Sequence, residues 1–114
     1  MKKVFMFALL LFLLTGCVSE EGTITKVNCD KMKELMNDSK TLLLDVRSKE
    51  EYDEGHLDNA ENRPLTQIDE LKVDLNTPII VYCKSGVRSN EAANLLLDFG
   101  YKNIYDLGAM SNCK

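Results

Sequence analysis

The 114-residue chain has few of the residues on which many binding functions depend. It contains one histidine, and its four cysteines are scattered, so no set of side chains has the spacing of a metal site and we predict no metal or other cofactor. Lysine and arginine total 14 against 18 aspartates and glutamates, and no basic stripe indicates a nucleic-acid partner. The acidic balance is typical of a solvated surface that faces away from an anionic membrane.

Long apolar runs are also missing. The longest, residues 4–14 after two lysines, would extend roughly 16 Å as a helix, against a hydrocarbon core of roughly 30 Å. Such a run is typical of the hydrophobic part of a signal peptide. It leads into Leu-Thr-Gly-Cys at residues 14–17, which resembles a bacterial lipobox, where the cysteine thiol receives a lipid and cleavage makes that cysteine the new N-terminus. An ordinary secretory signal with a chance cysteine is the alternative.

This segment predicts the cellular localisation of the protein. We expect a signal peptide over residues 1–16 and lipid, including palmitate, on Cys17, which would hold the protein on a membrane of the cell envelope, facing outside the cytoplasm. Residues 17–23 would be a tether, and residues 24–114 one small domain that we expect to be monomeric. The mature chain would carry 12 basic and 18 acidic residues, a net charge of −6.

The domain alternates between the patterns of buried strands and of amphipathic helices. Strands are predicted at residues 24–27, 42–46, 79–82 and 103–107, with a short extended piece at 60–64. Helices are predicted after Asn28 or Asp30, from a Ser48–Glu51 capping box to Gly55, over residues 66–75 with Leu75 inward, and over residues 90–99 with Ser89 as cap and Phe99 buried. This order predicts an α/β fold, a small doubly wound, mainly parallel sheet of about five strands with helices on both faces.

Cysteine chemistry is the clearest functional signal. If Cys17 is lipidated, an odd number of cysteines remains, so at least one thiol is free or used in chemistry. Cys83 opens a segment between a predicted strand and a predicted helix: Cys83-Lys84-Ser85-Gly86-Val87-Arg88-Ser89. Inward-pointing N–H groups and a helix N-terminus there would add positive potential, which can lower a thiol pKa from about 8.5 to roughly 3.5–7.5. We therefore predict a nucleophile rather than a buried core cysteine.

Several segments in a fixed order carry a family resemblance: Leu44 to Ser48, Glu51-Tyr52, Gly55-His56-Leu57, Ala60, and Val81 to Ser89. Together they resemble a single-domain rhodanese, of the thiosulfate sulfurtransferase family, over roughly residues 26–108. Rhodaneses place four residues between cysteine and arginine, as this chain does between Cys83 and Arg88. Cysteine-dependent phosphatases, the less favoured enzyme, place five.

The resemblance implies a thiosulfate sulfurtransferase-like enzyme. A small anionic donor such as thiosulfate would leave a persulfide on Cys83, and a thiol or cyanide would accept the sulfur. Lys84 and Arg88 would attract the donor, and the N–H groups from Ser85 through Gly86 and Val87 to Ser89 would form the persulfide cradle. Asp45 and Arg47, at the same sheet edge, are equally consistent with a supporting ion pair and with substrate contact. His56 would belong to a turn and not act as the base.

Two other functions compete with this enzyme. The domain could be an envelope sulfur carrier or thiol redox relay that serves a partner protein, or a non-catalytic binding module, although such modules usually lack the cysteine. At its end the chain departs from the family, since Ala109 replaces a second glycine and Cys113 stands near a tryptophan position. Cys113 is expected either in a loosely packed tail or, less favoured, as a thiol that resolves the Cys83 persulfide.

Overall fold

The computed structural model describes residues 21–113. The predicted signal peptide, the lipidation site Cys17 and most of the predicted tether lie outside the described residues. Within them the chain forms one five-stranded sheet, whose strand order is β1-β5-β4-β2-β3 and whose neighbours all pair in parallel. This arrangement confirms the predicted α/β fold.

The strands are β1 (Thr23–Lys26), β2 (Leu42–Asp45), β3 (Glu61–Asn62), β4 (Ile79–Cys83) and β5 (Asn103–Ala109). The α-helices are α1 (Cys29–Leu35), α2 (Lys49–Glu54) and α3 (Val87–Asp98). Two 3-10 helices, Leu65–Glu70 and Met110–Cys113, follow β3 and β5.

Apolar residues of alternating strand positions form a core on each face of the sheet. On one face, Val81 and Ile104 pack with Ala92 and Leu96 of α3 and with the first 3-10 helix. On the other face, Ile80 and Tyr82 pack with Met32 of α1, while Tyr52 of α2 lies at the border. β4 is buried along its whole length because it stands at the centre of the sheet and is covered on both sides.

The sheet brings the chemistry-bearing segments to one edge. β2 and β4 run in register, so that Asp45 lies opposite Tyr82, and β4 and β5 place Cys83 beside Ala109. Parallel strands end at the same edge, which is where open α/β sheets carry their functional crevice. Helices α2 and α3 begin directly beyond this edge.

Capping chemistry sets the starts of two helices as predicted. Asn28, and not Asp30, caps α1 by accepting a hydrogen bond from the Lys31 N–H at 2.9 Å. Ser48 and Glu51 form the reciprocal capping box of α2, which ends at Gly55. Both caps lie where short polar side chains meet unpaired N–H groups.

The helix predicted over residues 66–75 is wrong in length and in type. The chain forms a 3-10 helix at Leu65–Glu70, and Leu71 already has an extended backbone, with φ −66° and ψ 128°. Beyond it, the Asp74 carboxylate accepts from the Asn76 N–H at 2.8 Å, an Asx turn that competes with helix formation. Leu75, predicted to face inward, is 44% exposed.

The cap predicted for the last helix is also wrong. α3 begins at Val87, two residues earlier than Ser89, because Gly86 takes a left-handed conformation (φ 98°) as the residue before the helix. Ser89 therefore lies in the first turn, and its hydroxyl oxygen lies 3.1 Å from the Gly86 carbonyl oxygen. Phe99, predicted to be buried, lies beyond the helix end and is 45% exposed.

The C-terminus is held by a covalent link that the sequence did not predict. Cys113 forms a disulfide with Cys29, across 84 residues of sequence and a Cα–Cα distance of 5.1 Å. Residues 110–113 are therefore a 3-10 helix bound to the start of α1, and not a loosely packed tail. Since Cys113 is paired, it is not available as a resolving thiol, and Cys83 is the free cysteine of the described residues.

Candidate active site

The Cys83 side chain lies at the base of a loop between the last residue of β4 and the first turn of α3. It is fully buried. Its sulfur accepts hydrogen bonds from the backbone N–H of Gly86 at 3.0 Å and from that of Ser89 at 3.3 Å. Two N–H donors aimed at one sulfur stabilise the anionic form of that sulfur, as does the positive N-terminal end of a twelve-residue helix.

Loop geometry depends on Gly86. Its positive φ reverses the chain so that its N–H points back at the Cys83 sulfur, a conformation that residues with a Cβ adopt only with strain. A Cβ at this position would also lie 3.7 Å from the Cα of Gly108. Gly86 is therefore required by its backbone conformation more than by space.

Opposing effects act on the thiol of Cys83. Burial raises its pKa. Hydrogen bonds lower it, and their combined effect is larger than that of burial; they come from the N–H and the hydroxyl of Ser89 and from the N–H groups of Gly86 and Ser85. The net result is a pKa below that of an ordinary cysteine. A buried thiol with a lowered pKa is poised as a nucleophile.

The side chains of the other residues predicted for the loop differ in exposure and in their partners. Val87 turns its side chain outward and is 71% exposed. Arg88 binds both carboxylate oxygens of Glu51, at 2.7 and 3.0 Å. Lys84 is exposed and lines a cavity beside the loop. Lys84 is thus the loop cation without a carboxylate partner among residues 21–113.

Glu51 links the loop to α2. Its carboxylate closes the capping box with Ser48 and at the same time grips the Arg88 guanidinium in a bidentate pair. The Arg88 hydrogen bonds lower the pKa of Glu51 to about 2. Arg88 therefore acts as a brace between the nucleophile loop and the helix after β2.

Asp45 and Arg47 form a buried network below the site. The two side chains pair at 2.7 Å, and Arg47 also donates to the Gly55 carbonyl at 2.7 Å. The hydroxyl of Tyr82 donates to Asp45 at 2.7 Å and accepts from the Leu57 N–H at 3.1 Å. These contacts favour the supporting role over substrate contact for Asp45, whereas Arg47 also reaches the cavity wall.

A cavity of about 610 Å³ lies between α2, the nucleophile loop and the second 3-10 helix. Its charged lining consists of Arg47, Glu51, Glu54 and Lys84. Leu57 and Met110, both half-buried, contribute apolar surface. The cavity flanks the nucleophile, since Lys84 follows Cys83 in the chain and Met110 follows its sheet neighbour Ala109.

His56 also lies at this cavity, in a fixed orientation. Its Nδ1 lies 3.0 Å from the Tyr52 carbonyl, which can only accept, so Nδ1 is the donor. The ring stacks on Tyr52 with a centroid distance of 3.7 Å and an interplanar angle of 5°. These contacts agree with the role in a turn that the sequence predicts.

The family model described as "Rhodanese-like domain" matches residues 28–111, which is most of the chain. The chain belongs to the rhodanese-like domain family. A structure of an Escherichia coli rhodanese with bound anions is 30% identical, covers 63% of this chain and 89% of its own, and superposes with a TM-score of 0.60.

The chain is also similar to other known proteins. A human single-domain sulfurtransferase shares the fold at 20% identity, with a TM-score of 0.67 and coverage of 82% of this chain and 95% of its own. Curated relatives include the tRNA uridine(34) hydroxylases of Yersinia pestis and Buchnera aphidicola, each 32% identical over 88 and 89 residues. The chain spans about a quarter of the length of those relatives, 24% and 28%.

Sequence reasoning missed some residues of this rhodanese-like site. Glu51 appeared as a helix cap and within the family resemblance, but with no role at the nucleophile loop, because its partner Arg88 is 37 residues away in the chain. Tyr82 appeared as an apolar strand residue, although its hydroxyl completes the Asp45 network. Among residues 21–113 there is no cluster of potential metal ligands and no helix long and apolar enough to cross a bilayer.

Proposed function

We propose that the protein is a sulfurtransferase, which moves a sulfane sulfur from a donor such as thiosulfate to a thiol or cyanide acceptor through a persulfide on Cys83. The observation that carries the proposal is the Cys83 sulfur, held by the N–H groups of Gly86 and Ser89 and with its pKa lowered. Such a cradle stabilises negative charge on sulfur both before and after sulfur is taken up.

The reaction consists of two displacements. The Cys83 thiolate attacks the outer sulfur of thiosulfate, a new S–S bond forms on the cysteine, and sulfite leaves with the electron pair of the broken bond. The acceptor then attacks the outer sulfur of the persulfide, and Cys83 leaves as thiolate. The charge of the persulfide stays in the cradle throughout, so the chemistry needs no separate base for the nucleophile.

The spacing of the loop supports sulfur rather than phosphate as the transferred group. Four residues separate Cys83 from Arg88, and Arg88 is already bound to Glu51 on both oxygens. A phosphatase needs its arginine to grip the phosphate. In this chain that guanidinium is engaged elsewhere.

Intact mass after exposure to thiosulfate tests the proposal. Protein first treated with cyanide to remove any sulfane sulfur, and then incubated with thiosulfate, should gain one sulfur atom and lose it again to cyanide. Cys83→Ala should gain none, because no other cysteine of the described residues has a free thiol. Wild-type protein that never gains the sulfur, although its Cys83 reacts with iodoacetamide, would contradict the proposed function.

A further inference from the structure

Two large apolar side chains are exposed next to each other at the amino edge of the sheet. Leu75 and Phe99 are 44% and 45% exposed, and both line a cavity of about 740 Å³. Leu75 also lines a neighbouring cavity of about 500 Å³, together with Leu97. We call Leu75, Leu97 and Phe99 the amino-edge patch. Exposed apolar residues that lie together mark surfaces on which a partner or a membrane rests.

The chain enters the domain beside the amino-edge patch. Gly22 lines the smaller cavity with Leu97, and a Cβ on Gly22 would lie 2.9 Å from Cδ1 of Leu97. The Thr23 N–H donates to the Lys102 carbonyl, and the Lys102 N–H donates to the Leu75 carbonyl, both at 3.0 Å. The segment that precedes Gly22 therefore begins at the margin of the patch.

That segment holds the predicted lipidation site. Cys17 lies five residues before Gly22, and a chain extends at most about 3.3–3.6 Å per residue, so the two are separated by no more than about 18 Å. Lipid on Cys17 would therefore keep the patch within that distance of the bilayer. A contact between tethered surfaces is intramolecular in effect and needs little affinity of its own.

Charge around the amino-edge patch favours neither sign. The two cavities are lined by two lysines and three acidic residues, namely Lys72, Lys102, Glu21, Asp69 and Asp74. This balance offers little attraction to anionic headgroups and little repulsion from them. Contact with lipid would thus depend on the burial of apolar area.

We propose that the amino-edge patch rests on the lipid bilayer that anchors the chain through Cys17, so that the domain contacts the membrane at a second point. The inference goes beyond the proposed function, and it rests on the predicted lipid and not on the chemistry of Cys83. A protein surface on the patch, from a second copy of the chain or from uncleaved residues 1–16, is the alternative that the test separates from lipid.

A single tryptophan reports what covers the patch, because the chain has none of its own. Phe99→Trp is made in the full chain, purified with its lipid and reconstituted into phosphatidylcholine vesicles. Its emission should be at least about twofold weaker when the acyl chains carry bromine, a quencher, because a side chain in contact with the bilayer lies about 5–10 Å into the boundary between headgroups and acyl chains. Val87→Trp is the matched control, since Val87 is exposed at the opposite edge of the sheet, and its emission should be the same in both kinds of vesicle.

Leu75→Trp repeats the measurement from a neighbouring position and should be quenched as strongly, so the result does not depend on the folding of one variant. Equal emission of Phe99→Trp and Leu75→Trp in brominated and unbrominated vesicles would overturn the proposal. If that emission were also shifted to the blue relative to Val87→Trp, protein rather than lipid would cover the patch. An intact mass without an added acyl group would overturn the proposal as well, because the contact depends on the anchor.

Discussion

At the scale of single residues, the reactivity of this domain depends on hydrogen bonds that outweigh burial. A buried thiol without donors has a raised pKa and is inert. In this loop, N–H groups from Gly86 and Ser89 lie within 3.3 Å of the sulfur and reverse that effect. The glycine is needed for its left-handed backbone, and the serine contributes both its N–H and its hydroxyl.

Ser89→Ala tests how much the serine hydroxyl contributes to the lowered pKa of Cys83, because it removes the hydroxyl and keeps the backbone N–H donor. We expect the pKa of Cys83 to rise, since one of the groups that lower it is lost. Alkylation by iodoacetamide, followed against pH, should then fall off at a higher pH than in the wild type, because the thiolate is lost as pH drops through its pKa. Ser85→Ala is the matched control, since only the Ser85 N–H acts on the thiol. Equal pH profiles for wild type and Ser89→Ala would show that the hydroxyl plays no part.

At the scale of elements, the ends of β2 and β4 are joined by one buried polar network. Asp45 is fully buried and holds Arg47, the Arg47 N–H and the Tyr82 hydroxyl at once. Removal of one partner from such a pair leaves a buried charge without compensation. The network thus fixes how the two strand ends, and with them the floor of the site, lie relative to each other.

Asp45→Ala should therefore lower the free energy of unfolding by about 3–5 kcal/mol, as measured by urea denaturation. Asp53→Ala removes a carboxylate of the same type from the exposed pair with Lys49 and should cost about 0–1 kcal/mol. A loss in Asp45→Ala no larger than that in Asp53→Ala would mean that the buried network contributes nothing beyond a surface ion pair.

The sequence predicts elements well where a pattern has one interpretation. β4 is a continuous apolar run and α2 begins with a complete capping box, so both lie where expected. Residues 66–75 have helical spacing of apolar residues, but the Asx turn at Asp74 decides against a helix there. Distant pairs such as Glu51–Arg88 and Cys29–Cys113 leave no local trace, so the brace and the disulfide could not be predicted.

At the scale of the whole molecule, the start of the first strand and the active-site cysteine lie at opposite edges of the sheet. β1 begins at Thr23, at the amino edge of the parallel sheet, whereas Cys83 ends β4 at the carboxyl edge. The segment that precedes Thr23 and the nucleophile therefore meet the sheet at opposite edges. The Cys29–Cys113 disulfide suits the oxidising side of a membrane, where such bonds persist.

Cys17→Ser tests the proposed localisation on a membrane. If Cys17 receives lipid, the substitution should move the protein from the membrane fraction to the soluble fraction or leave its signal peptide uncleaved. The apolar run of residues 4–14 is too short to span a bilayer and so to replace the lipid as an anchor. Inhibition of the lipoprotein signal peptidase should leave wild-type protein unprocessed. Cys83→Ser is the matched control, since it also replaces a thiol by a hydroxyl and should fractionate with the membrane as the wild type does. Membrane fractionation of Cys17→Ser equal to that of Cys83→Ser would show that the lipid on Cys17 is not the anchor.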